Sequence, residues 1–104
     1  MTAPIVRAAA KREMAAAARW YERERAGLGD RFLDAIGVVL DAIAVRPSAF
    51  AVVHRDLRRA LVPRFPYVVL YRLASDRVIV VACMHAKQSP RRWTAREPVS
   101  PYAT

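Results

Sequence analysis

Hydrophobic and polar positions alternate with two different periods along this chain, and the change of period divides it into a helical first half and a stranded second half. From about Ala8 to Ala26 the residues are strong helix formers, and Ala10, Met14, Ala17 and Tyr21 recur at 4, 3, 4 spacing with Ala18 on the same face. The turn Gly27-Leu28-Gly29-Asp30 supplies a glycine able to take positive φ, and the Asp30 carboxylate is placed to cap a second helix. In that helix Phe32, Leu33, Ile36, Leu40, Ile43 and Ala44 keep the 3.6-residue period until Arg46-Pro47 ends it. Two helices joined by a short turn form a hairpin.

Ile5-Val6-Arg7 reads as a short first strand, confined by Pro4 to a strand start or edge. Residues 48–56 read as a loop whose apolar positions cover one end of the core. After Leu57 the stretches Leu57 to Phe65, Tyr67 to Ala74 and Arg77 to His85 are rich in β-branched and aromatic residues, which predicts three antiparallel strands. With Ser75-Asp76 as a two-residue hairpin loop, Arg72 faces Ile79 and Leu70 faces Val81. One sheet face then carries Tyr67, Val69, Tyr71, Leu73, Val78, Val80, Ala82 and Met84, and the other carries Val68, Leu70, Arg72, Ile79, Val81, Cys83 and His85. A helical hairpin covers one face of a sheet, so the second apolar face calls for another covering element, and a partner chain is the expected one. The predicted architecture is an α+β fold, order β-α-α-β-β-β, with an N-terminal helical hairpin packed on a small, mainly antiparallel sheet.

At 104 residues, 55% of them hydrophobic and 26% charged, the chain has room for one domain and one core, read as 1–104 with a basic tail from about Lys87. No apolar run approaches the ~20 residues that span a bilayer, and the N-terminus lacks the organisation of a signal peptide, so no membrane association and a cytoplasmic location are expected. Cys83 is the only cysteine, which excludes an intrachain disulfide and a thiolate zinc site. No His/Asp/Glu cluster suited to a metal, no Gly-rich phosphate loop and no catalytic carboxylate pair is found; neither metal nor cofactor is expected.

The net charge of +9 is uneven: residues 1–45 carry seven Lys/Arg against six Asp/Glu, and residues 46–104 carry eleven against three. Such a field favours an anionic partner, nucleic acid or an acidic protein segment. Arg58, Arg59, Arg64, Arg91 and Arg92 form a candidate basic rim for that partner. Trp93 in the basic tail reads as a pin holding the tail to the domain, with base stacking the alternative.

The order of several short motifs is informative: Ala18-Arg19-Trp20-Tyr21-Glu22, Gly27-Leu28-Gly29 with Phe32-Leu33, the Arg46-Pro47 stop, Arg64-Phe65-Pro66-Tyr67 followed by Val68-Val69-Leu70-Tyr71, and His85-Ala86-Lys87 leading to Pro90-Arg91-Arg92-Trp93. In this order, over about residues 5–96, the chain resembles the RelE/ParE toxin superfamily. The resemblance implies a cytoplasmic toxin held inactive in a hetero-oligomer by a cognate antitoxin, a short acidic, partly disordered chain that folds as it wraps the toxin. Val68, Leu70, Arg72, Ile79, Val81 and Cys83 are the expected antitoxin-binding positions. The superfamily contains ribosome-dependent mRNA endonucleases and ParE-like inhibitors of DNA gyrase. For nuclease chemistry the candidates are His85 as acid or base, with Arg72 and Lys87 stabilising phosphate charge. Val68 stands where the nuclease branch carries an arginine before its Val-Tyr segment, and Lys87 replaces the end-of-strand arginine. These departures, with Arg64-Phe65-Pro66-Tyr67, lean towards the ParE side, where activity needs a binding surface.

Overall fold

The computed structural model describes residues 3–87. Strand β1 (Ile5–Val6) leads into helix α1 (Ala8–Glu24) and helix α2 (Leu28–Val45), followed by β2 (Val52–His54), β3 (Leu57–Leu61), β4 (Tyr67–Ala74) and β5 (Arg77–His85). The five strands form one sheet in the order β1-β5-β4-β3-β2, antiparallel except for the parallel pair β1 and β5. The α+β arrangement is the expected one, with one strand more than the sequence periods indicate. Residues 48–56 are not wholly loop, because Val52–His54 pairs with the start of β3. Three residues are too few to display a period.

The hairpin is closed by a side chain from the first helix. Gly27, at φ +86°, is the N-cap of α2 and has no side chain to offer its orphan N–H groups. Glu22 supplies the missing acceptors: its Oε2 accepts from the Gly27 N–H and its Oε1 from the Gly29 N–H, both at 2.9 Å. Asp30 lies inside the first turn of α2, where its charge suits the helix dipole, and is not the cap. Gly29 allows the helices to touch, since a Cβ there would stand 2.6 Å from the Ala18 carbonyl oxygen.

Beneath the hairpin, Met14, Ala17, Phe32, Ile36, Val39 and Ile43 pack on Val69, Tyr71, Val78, Val80 and Cys83. Tyr21, Phe32, Phe65 and Tyr67 form an aromatic cluster with centroids 4.9 to 6.0 Å apart, and the buried Tyr71 hydroxyl donates to the Pro47 carbonyl at 2.6 Å. This last bond ties the centre of the sheet to the residue that ends α2.

The register of β4 on β5 corrects the sequence expectation. Near the Ser75-Asp76 turn the predicted pairs hold, including Arg72 with Ile79, but between Leu70 and Tyr71 the register shifts, and Leu70 faces Ala82 instead of Val81. A β-bulge of this kind places one extra residue on β5 and reverses the faces of everything beyond it. Cys83 and His85 therefore turn to the helix side, while Ala82 and Met84 join the opposite face. That opposite face is also closed: Leu57, Val68, Leu70, Val81, Ala82 and Met84 form a second cluster, none more than 6% exposed. The expected open apolar sheet face is thus already withdrawn from solvent within the chain.

Candidate functional site

The bulge separates the nuclease candidates. His85 pairs with Tyr67 at one end of the β4–β5 ladder, and its ring meets the Tyr67 ring on the helix side at 5.5 Å. Arg72 lies five residues along β4, roughly 17 Å away at the usual strand rise, and points to the opposite face. Its guanidinium is 3% exposed and has its Nε 3.9 Å from Oδ2 of Asp56. Only Lys87 stays beside His85, its backbone N–H donating to His85 Nδ1 at 3.1 Å. A phosphate held at His85 is out of reach of Arg72.

The positions expected to bind antitoxin divide in the same way. Val68, Leu70, Arg72 and Val81 are buried in the second cluster or beside it, and Ile79 is half-buried against it. Cys83 lies on the other side, in the core under α1, where its backbone N–H donates to Glu13 Oε1 at 3.1 Å. Burial, reinforced by the Glu13 charge, pushes the Cys83 thiol up to about 12, so it supplies no thiolate near neutral pH.

Of the basic rim, Arg58 is engaged internally: its Nη1 donates to the carbonyls of Phe50 at 2.7 Å and Ser48 at 3.2 Å, anchoring the segment that leads into β2. Arg59 is half-buried on β3. Arg64 is exposed in the turn before β4 at φ +69°, a left-handed conformation that Arg55 and Ser75 also adopt in their turns. Arg91, Arg92 and Trp93 lie outside the described residues.

Helix α2 carries a feature not singled out from the sequence. Besides its core stripe, Leu28, Ala35, Val38, Ala42 and Val45 recur at 7, 3, 4, 3 spacing and form a second apolar stripe on the outer side. Val38 is 59% and Val45 61% exposed. Towards the N-terminal end this stripe borders a groove of about 800 Å³ with Tyr21 and Phe65 in its lining, Pro63 and Pro66 at its side, and Arg31, Arg64 and Asp34 around it. Burial raises the pKa of the Tyr21 phenol, with Tyr67 adding to the shift. At the other end Asp41, Ala42, Val45, Arg46, Ala49 and Phe50 line an apolar crevice of about 370 Å³. The spacing was present in the sequence, but the stronger core period of the same helix masks it.

The surface offers apolar area with Arg31, Arg64, Arg46, Asp34 and Asp41 at its margins, and among the described residues it brings together no acid, base and electrophile. Among the described residues no group of three or more His, Cys, Asp and Glu could hold a metal, and no helix is long and apolar enough to cross a membrane. Among solved structures the chain is similar to a "Chromosomal ParDE TA system from P. aeruginosa", with a TM-score of 0.62 at 11% sequence identity over 82% of this chain and 96% of that one. No curated protein matches it. The family model described as "ParE toxin of type II toxin-antitoxin system, parDE" matches residues 5–90, and the chain belongs to that family.

Proposed function

We propose that the chain arrests growth by binding DNA gyrase in the cytoplasm, and that a cognate antitoxin neutralises it by occupying the outer stripe of α2. The observation that carries this reading is the separation of Arg72 from His85 across the two faces of the sheet, together with an open apolar groove bordered by Arg31, Arg64 and Asp34. Inhibition by binding needs a preformed surface, and the groove provides one. A short acidic antitoxin that folds on contact gains affinity from the exposed Val38 and Val45 and from the net charge of +9. Val68, Leu70, Arg72, Ile79 and Val81 join that interface only if the second sheet face opens. A charge placed at the fully buried Leu70 therefore reports on folding before it reports on antitoxin.

The test is a supercoiling assay with purified toxin and gyrase, run beside a transcript-integrity assay on induced cells. The expected result is loss of supercoiling, reversed by antitoxin and retained in His85→Ala, with messenger RNA intact. Rapid transcript cleavage abolished by His85→Ala, with supercoiling untouched, would reject gyrase binding in favour of a ribosome-dependent endoribonuclease.

A further inference from the structure

Strand β2 closes the sheet at one end of the order β1-β5-β4-β3-β2, and no further strand lies beyond it among the described residues. Its successive valines, which point to opposite faces, are both open, Val52 at 52% and Val53 at 40%. The Arg59 N–H donates to the Ala51 carbonyl at 3.0 Å, and Val52 sits opposite Arg58. In an antiparallel ladder this directs the Val52 N–H and C=O away from β3, to the free side. Immediately before β2 lies the apolar crevice between Val45 of α2 and Phe50. An open edge thus adjoins a pocket sized for a side chain, which is the arrangement by which sheet edges take up an extended peptide.

Charge identifies the occupant. From the crevice to the start of β4, residues 41–64 carry Arg46, Arg55, Arg58, Arg59 and Arg64 against Asp41 and Asp56; with Arg58 engaged by the Phe50 and Ser48 carbonyls and Asp56 facing the buried Arg72, Arg46, Arg55, Arg59 and Arg64 stand against Asp41. A second copy of this chain would set the same arginines against each other, whereas an acidic segment meets complementary charge. We infer that the β2 edge takes an extended acidic segment of the cognate antitoxin as a sixth strand, with one of its apolar side chains seated in the crevice beside Phe50. The inference rests on the toxin–antitoxin reading above and adds a second, strand-like contact to docking on α2. Because β2 has three residues and a register irregularity at Val52/His54, the added pairing is short and the crevice must supply much of the specificity.

Val52→Pro tests this, because it removes an N–H that the ladder directs away from β3. Val53→Pro, which deletes a donor directed at β3, serves as the folding control. With purified antitoxin, Val52→Pro is expected to raise Kd by about tenfold, the scale of one lost main-chain hydrogen bond, while the thermal midpoint stays at the wild-type value. In the wild-type complex the Val52 amide is expected to become protected from hydrogen exchange, a readout independent of whether either proline variant folds. Wild-type binding that is indifferent to Val52→Pro, with a freely exchanging Val52 amide, overturns the strand contact and leaves docking on α2 standing. No binding of antitoxin by the wild type overturns both. Sedimentation showing that the free toxin dimerises, and that Val52→Pro abolishes the dimer, assigns the edge to a second copy and likewise overturns the proposal.

Discussion

Replacing Gly29 with alanine should destabilise the protein, although the same exchange elsewhere in α2 should stabilise it. The added Cβ would lie 2.6 Å from the Ala18 carbonyl oxygen, 3.0 Å from Glu22 Oε1 and 3.1 Å from Glu22 Cβ. The first of these is backbone in the middle of α1 and cannot rotate away, so the helices must part by about 0.4 Å merely to restore 3.0 Å. Overpacking of this kind costs about 1–3 kcal/mol, against which alanine returns up to ~1 kcal/mol of helix propensity. Parting the helices also lengthens the hydrogen bond from the Gly29 N–H to Glu22. The net expectation is a loss of about 1–2 kcal/mol, or roughly 5–15 °C in thermal midpoint for a domain of this size. Gly37 meets nothing within 4 Å of its added Cβ and has ordinary φ, so Gly37→Ala should gain roughly 0.5–1 kcal/mol. Paired calorimetric melts of the two variants decide the matter. A Gly29→Ala midpoint at or above wild type, or equal losses from both variants, would refute the close approach of the helices.

Glu22 has its pKa lowered by the N–H groups of Gly27 and then Gly29, so its contribution to stability is fully present above the ordinary glutamate pKa and is lost as pH falls through the folded value. Denaturation midpoints should therefore fall below about pH 4 more steeply for wild type than for Glu22→Gln, and parallel curves would contradict this role. Cys83, its thiol raised to about 12 by burial, should resist a disulfide reagent at pH 8 in the native protein and react stoichiometrically in denaturant. Fast native labelling would mean the strand opens locally. Tyr71→Phe removes the buried 2.6 Å hydrogen bond to the Pro47 carbonyl and should cost about 0.5–1.5 kcal/mol in urea titration, with an unchanged m-value.

Much of this fold is written in periods long enough to read. Ala10 to Tyr21 and Phe32 to Ile43 repeat their apolar residues over several turns, and Pro47 marks where the second helix must stop, so both helices are legible. The β4–β5 hairpin is also legible near its turn, where Ser75 takes a positive φ of 57°. The bulge is not, because no glycine or proline signals it and the residues on either side are apolar for both faces. That one residue decides whether Cys83 and His85 share a side with Arg72, and so decides the candidate site. The hairpin cap was hidden for a related reason: Asp30 has the right chemistry in the right place along the chain, but Glu22 reaches the same N–H groups across a turn. The second stripe of α2 was present but overshadowed by the core stripe, and only the exposure of Val38 and Val45 distinguishes them.

The closure of β4 and β5 on both sides has a further consequence for how long the protein persists. Strands whose side chains are buried on both faces expose no apolar row along which to open singly, so their amides are expected to be among the slowest in the domain to exchange with solvent. A protease seeking a foothold in this hairpin must wait for the same slow opening. Cleavage within this hairpin then tracks unfolding of the core, and a destabilising substitution in either cluster speeds it whether or not it touches the surface that meets a partner.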